Sequence, residues 1–317
     1  MKKIYLLGEC MVELSRQADG SFNQSYAGDV YNTAVYLKRS FADLSVNLFS
    51  VIGRDALSKN MLAAFEKESI GTELIQTSTD KLPGLYMIAL DDQGERSFSY
   101  WRSDSAARQV MQFLNPELVG WLCMGDVFFF SGISLAMIDP NDRDTFWQLL
   151  RKLSDSGVQI AFDPNYRPRM WSDKAEAKTQ FELAFGMSNM VLPGVDDFDQ
   201  LYGIKDISEI HQFCSTFNID ELIIKSGSKS VFSFTQNECL EIQITPVAHA
   251  VDTTSAGDSF NGVYLGARME GISIQQSIEL ASAAAAEVIQ YRGAIIPKDT
   301  FVNHISPLLA QTNAVPK

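Results

Sequence analysis

No cluster of lysines and arginines occurs anywhere in this sequence: 26 basic residues are scattered among 39 acidic ones, for a formal charge of −13. A general nucleic-acid surface needs clustered positive charge, so that class of function is set aside. Cysteine is scarce. Cys10, Cys123, Cys214 and Cys239 stand far apart with no Cys-x-x-Cys pair, which predicts buried free thiols rather than a disulfide framework or a zinc site. His211, His249 and His304 are the only histidines, and their spacing suits neither a metal cluster nor a hydrolase triad. No apolar run approaches the roughly 20 residues that span a bilayer. The apolar start is broken at Glu9 and Glu13 with no small-residue cleavage site after it, so it reads as a buried first strand, with a cytoplasmic location. Also missing are the Gly-x-x-x-x-Gly-Lys-Ser/Thr and Gly-x-Gly-x-x-Gly phosphate-binding fingerprints.

What is present is a chain of 317 residues, 46% hydrophobic and 21% charged, enough for one large α/β core. Strand-like runs at 4–7, 46–51, 127–131, 159–162, 190–192, 221–225 and 231–235 alternate with helical patterns at 31–40, 58–68, 142–156, 174–186, 207–217, 255–269 and 274–291. That alternation predicts a mostly parallel sheet with crossover helices. No repeat or low-complexity linker interrupts it, so residues 1–317 read as a single domain. Two stretches depart from the alternation, near 11–26 and 85–102. In the second, apolar halves flank the turn Asp91-Asp92-Gln93-Gly94, as in a hairpin.

The segment Asp252-Thr253-Thr254-Ser255-Ala256-Gly257-Asp258-Ser259-Phe260 carries the most chemistry. Small residues lead into an acid and then into Phe260, Val263, Tyr264 and Ala267 at helical spacing, which marks a helix start. Unpaired N–H groups and the positive dipole end favour an anion there, and Ser255, Ala256 and Gly257 leave the backbone open to it. Asp258 beside a bound phosphate could take a proton from an attacking hydroxyl. Equally, Thr254 or Ser255 could simply cap the helix while Asp258 complements its dipole.

This segment resembles the C-terminal signature of the ribokinase-like (PfkB-type) sugar kinases, and Gly28-Asp29-Val30-Tyr31-Asn32 resembles their N-terminal Gly-Gly-x-x-x-Asn signature, with Ala27 at the first Gly. Leu82-Pro83-Gly84-Leu85-Tyr86, Tyr100-Trp101-Arg102, Asn165-Tyr166-Arg167 and the run 288–297 are similar to the 2-keto-3-deoxygluconate kinases within that family. The resemblance implies a three-layer α/β/α fold with a small β lid formed by 11–26 and 85–102. It implies ATP and Mg²⁺ as cofactors, and transfer of the γ-phosphoryl group to the 6-hydroxyl of 2-keto-3-deoxy-D-gluconate. Asp258 would be the base, with Ser255, Ala256 and Gly257 offsetting phosphoryl charge. Gly28 and Asn32 would hold sugar hydroxyls, while Tyr86, Tyr100, Arg102 and Arg167 grip the keto acid. Two arginine forks suit a carboxylate, although surface ion pairing is the alternative for both.

Lys225, Ser226 and Gly227 are expected beside the nucleotide, and Gly227 can equally serve a plain hairpin turn. The family's Asn-x-x-Glu, which organises Mg²⁺ through water, is replaced by Gly194-Val195-Asp196-Asp197. Asp197 is thus the candidate metal-side acid, in competition with Asp196 and with helix capping before Phe198. A monovalent cation near Asp252 and a homo-oligomer paired through exposed lid edges are further expectations. Two other readings stay open: a kinase of a neutral ketose or nucleoside, and a non-catalytic sugar-binding regulator.

Overall fold

A computed structural model of the chain describes residues 1–17, 19–90 and 96–313. Its strands are β1 (Lys3–Leu7), β2 (Met11–Arg16), β3 (Phe22–Ala27), β4 (Ser45–Ile52), β5 (Ile75–Thr77), β6 (Leu85–Leu90), β7 (Arg96–Trp101), β8 (Val127–Ser131), β9 (Gln159–Asp163), β10 (Met190–Val191), β11 (Glu221–Ser226), β12 (Ser230–Phe234) and β13 (Cys239–Gln243). The helices are α1 (Asp29–Ser40), α2 (Ala56–Lys67), α3 (Pro116–Leu122), α4 (Gly132–Met137), α5 (Arg143–Asp155), α6 (Lys174–Met187), α7 (Val195–Tyr202), α8 (Ile207–Cys214), α9 (Ala256–Met269), α10 (Ile274–Val288) and α11 (Lys298–Asn313).

Nine strands make one sheet in the order β13-β12-β11-β10-β9-β8-β1-β4-β5. It is parallel from β11 to β5, and β12 and β13 close one edge antiparallel. Side chains alternate between two cores. Ile4, Leu6, Phe129, Ala161 and Ile223 face the layer built from α1, α2, α9, α10 and α11. Tyr5, Leu7, Phe128, Phe130, Phe162 and Leu222 face the layer of α3 to α8. Coverage on both faces is why these strands read as unbroken apolar runs, and the three-layer α/β/α expectation is borne out.

A second sheet, β3-β2-β6-β7, contains the two expected hairpins, joined side by side through the parallel pair β2–β6. Its own apolar cluster is small, with Met11, Ala27, Tyr86 and Ala294 buried. Phe22, Tyr100 and Trp101 remain 51%, 49% and 58% exposed. The turn Asp91-Asp92-Gln93-Gly94 and the last four residues lie outside the described residues.

Six elements were not expected from sequence: β5, β13, α3, α4, α7 and α11. β5 has 3 residues and α4 has 6, too few for a period to show. Helix α11 contains Pro307, which argues locally against a helix.

Two features position the site. The strand order reverses around β1, with β4 on one side and β8 on the other, and such a reversal opens a crevice at the carboxyl ends of the strands. In addition, α1 and α9 touch almost backbone to backbone. A methyl group on Gly262 would fall 2.4 Å from the Thr33 carbonyl oxygen, so only glycine permits that approach.

Candidate active site

The close α1–α9 contact brings together residues 226 positions apart: Asn32 Nδ2 donates to Asp258 Oδ2 at 2.8 Å. Ser255 Oγ donates to the same oxygen at 3.1 Å. Oδ1 accepts from no described residue, and Asp258 lines a cavity of about 770 Å³ at the carboxyl ends of the strands. Burial pushes the Asp258 carboxyl up to about 7, and the neighbouring Asp29 charge adds to this against the two hydrogen bonds. Such a group is charged near neutrality yet holds a proton well, as a general base requires.

Ser255 is the N-cap of α9 but makes no side-chain cap bond, because its hydroxyl is turned to Asp258. The N–H groups of Gly257 and Asp258 donate to no acceptor among the described residues. They therefore face the cavity as an amide cradle for an anion. Beside the cradle stands Lys225, at the end of β11, whose ammonium donates to Asn261 Oδ1 at 3.0 Å and pairs with Asp163 Oδ1 at 3.4 Å. Ser226 and Gly227 line the same cavity. Gly227 also makes the β11–β12 turn with φ +59°, the turn role weighed for it above. Ser282 on α10, which carried no sequence signal, lines the cavity with a buried hydroxyl that has no hydrogen-bond partner among the described residues.

Asp197 lines this cavity too, but both of its oxygens accept backbone N–H groups, from Gly194 at 2.9 Å and Tyr166 at 2.7 Å. The first of these is the capping alternative weighed above. Burial pushes its carboxyl up to about 6, with the Asp163 charge as the second cause. Among the described residues, no group of three metal-ligating side chains exists. Each Asp197 oxygen keeps room for one further acceptor contact, which suits holding the waters of a Mg²⁺ ion rather than binding it directly.

The acceptor side lies around the strand reversal. Gly28 has no room for a side chain, since a methyl group there would fall 2.2 Å from the Glu9 carbonyl oxygen. Asp29, the first residue of α1, accepts from Ser131 Oγ at 2.5 Å and Asn165 Nδ2 at 3.0 Å, and burial raises its carboxyl above the ordinary range. Arg102 pairs with Glu9 at 2.5 Å, and Tyr86 gives its hydroxyl to Glu13. The Tyr86 ring lies 5.7 Å from that of Tyr100. Arg167 donates to the Tyr166 carbonyl at 3.0 Å and lines the 770 Å³ cavity. Asn32, Asp258, Ser255, Ala256, Gly257 and Lys225 thus lie together, while Arg102 and Arg167 are engaged with different protein partners. Sequence reasoning missed the roles of Asp29, Asp163, Glu9 and Asn261.

Asp252 accepts from Thr254 and from the Gly293 N–H, tying the loop before α9 to the segment after α10.

Comparison with known proteins bears on this geometry. The family model described as pfkB family carbohydrate kinase matches residues 1–300. A 2-dehydro-3-deoxygluconokinase from Dickeya dadantii (strain 3937) is 38% identical over 302 residues, covering 93% of this chain and 97% of that relative. The enzyme of the same name from Haemophilus influenzae is 37% identical over 303 residues, covering 94% and 96%. Among solved structures, a fructokinase with bound ATP from Xylella fastidiosa superposes with a TM-score of 0.81 over 99% of this chain and 100% of that one. At 20% identity this likeness speaks to the fold alone.

Proposed function

Because the chain belongs to the pfkB family of carbohydrate kinases, we propose that it transfers the γ-phosphoryl group of ATP to the 6-hydroxyl of 2-keto-3-deoxy-D-gluconate, which is 2-dehydro-3-deoxygluconate under another name. The relatives that carry this activity in their names support it over nearly the whole chain. The observation that carries the chemistry is Asp258, with Oδ2 held by Asn32 and Ser255 and Oδ1 left to the cavity.

In the reaction the acceptor hydroxyl gives its proton to Asp258 Oδ1 as its oxygen attacks the γ-phosphorus. The bond from that phosphorus to the bridging oxygen breaks, and ADP leaves with the electron pair. The N–H groups of Gly257 and Asp258 stabilise charge on the transferring group. Mg²⁺ bound with ATP supplies further neutralisation, and Asp197 is the residue proposed to hold its waters. Gly28 and Asn32 are assigned to the sugar hydroxyls, with Tyr86, Tyr100, Arg102 and Arg167 at the keto-acid end. Lys225, Ser226 and Gly227 take the nucleotide. For Arg102 this requires the guanidinium to serve Glu9 and a substrate carboxylate together, which five donors allow.

The proposal extends to a monovalent cation near Asp252, to a homo-oligomer paired through the lid edges, and to work in the cytoplasm. Light scattering and a potassium titration of turnover test the first two. A coupled ADP-release assay across keto-deoxy acids, fructose and nucleosides tests the acceptor. Equal or faster turnover of fructose would transfer the assignment to a neutral-ketose kinase.

A further inference from the structure

Lys225 is in an odd place for a cation. The amino end of a helix carries the positive end of its dipole, which disfavours an ammonium by a few tenths to about 1 kcal/mol. Yet a methyl group on Gly257, in the first turn of α9, would lie only 4.0 Å from Lys225 Nζ. Two positive features therefore crowd one wall of the 770 Å³ cavity.

Two buried side chains hold the ammonium there. Asn261 gives its amide oxygen to Lys225 Nζ at 3.0 Å and its amide N–H to Asp163 Oδ2 at 2.7 Å. Asp163 Oδ1 completes the triangle at 3.4 Å from Nζ. Asn261 is 1% exposed and Asp163 4%. An amide can face a cation with its oxygen and a carboxylate with its N–H. An acid at position 261 would repel Asp163, and an apolar residue would free both partners. The ammonium has three donors; two are taken by this triangle, the Phe260 ring lies 6.0 Å away, and no described residue accepts the third.

Asn261 also follows Asp258 by three residues, so both project from the same face of α9. Base and ammonium are thereby fixed relative to one another by a single helical turn. No bond joins Lys225 to Asp258, which keeps the base from being neutralised by the cation beside it.

On the reading that this protein is an ATP-dependent kinase, we propose that Asp163 and Asn261 form a seat aiming the Lys225 ammonium at the transferring γ-phosphoryl group. Asn261 is then a positioning residue and Lys225 the phosphate contact. The phosphoryl group takes up the unused donor, resolving the crowding of like charge at the α9 terminus.

Calorimetry of the whole protein with Mg²⁺, using AMP-PNP and ADP as separate probes, tests this. Lys225→Met is expected to weaken AMP-PNP at least about 10-fold, as loss of one charge-assisted bond would, while ADP changes less than about 2-fold. Asn261→Leu should repeat the pattern at reduced size, with Asn261→Ser as the substitute if the leucine variant does not fold. Unchanged AMP-PNP binding in Lys225→Met would overturn the contact. Equal weakening of both nucleotides in the Asn261 variants would show a merely structural role and overturn the seat. No acceptor is present in these titrations, so a wrong sugar assignment and a wrong seat give separate results.

Discussion

The two ends of the main sheet are built from similar residues and do opposite things. At the amino ends of the strands a cavity of about 390 Å³ is lined by Lys2, Asp126, Asp220, Glu221 and Arg268, among others. At the carboxyl ends the larger cavity is lined by Asp163, Asp197, Asp258 and Lys225. Composition alone does not separate them. What separates them is how the polar groups are used. At the amino end Arg268 is spent on Glu221, at 2.6 Å for one contact, and on the Ile272 carbonyl, and Lys2 reaches the Met269 carbonyl. Asp126 accepts from the Lys3 N–H at 2.7 Å. At the carboxyl end, among the described residues, an acid keeps an open oxygen and two helix N–H groups have no acceptor. Polar groups satisfied within the protein hold structure together; those left over await a ligand.

The sharpest way to break this contrast is Asp258→Asn. Turnover should fall about 10³- to 10⁴-fold, at the upper end of what general-base catalysis supplies, while binding of the sugar acid persists. Near-normal turnover in a steady-state assay would return the carboxyl end to a structural role. Next in size is Arg102→Ala. Its KM for the keto acid should rise about 10- to 100-fold, against little change for a neutral sugar. Because the Glu9 side chain is only 1% exposed, losing its partner should also cost about 3 kcal/mol in denaturant unfolding. An equal KM effect on both acceptors would remove the carboxylate role.

The amino end makes the opposite prediction. Arg268→Ala should destabilise by about 1–3 kcal/mol, since it strands a partly buried Glu221, with turnover per folded molecule unchanged. A selective loss of turnover would mean that the two ends are coupled through α9.

The last effect is in pH. Asp258 holds its proton more tightly folded, near 7, than unfolded, where an aspartate titrates near 4. It thus favours folding fully below the unfolded value, and that contribution is lost as pH rises through about 7. Asp258→Asn should melt above the wild type at pH 8, with the gap closing toward pH 4. In the wild type, kcat/KM should climb to a plateau above pH 7, because the base works deprotonated. A flat profile between pH 5 and 8 would contradict the raised carboxyl.

Much of the fold was legible because the centres of parallel strands buried on both faces must be apolar, as 127–130 and 222–224 are. Short elements such as β5 carried no period to read. In the site, Asp258 was visible because its cradle is local: the small residues before it and the apolar helix after it are contiguous. The seat of Lys225 was invisible for the opposite reason. Asn261 meets Lys225 across 36 positions and Asp163 across 98, and neither looks unusual among its neighbours. Asp29 is the same case, joined to Ser131 across 102 positions. For Arg102 the sequence left both a substrate role and ion pairing open, because nothing nearby announces Glu9 as its partner.

The bond between Asn32 and Asp258 has a consequence for how the chain comes into being. Helix α1 is made well before α9 to α11, in which part of its apolar face finds cover, Tyr36 against Phe301 for one. A nascent chain must therefore carry that part of the face uncovered until those helices have followed it. Contacts closing so long a loop form slowly, and exposed apolar surface invites aggregation meanwhile. Because Asn32 and Asp258 lie 226 positions apart, the base can be assembled only after α9 has been made.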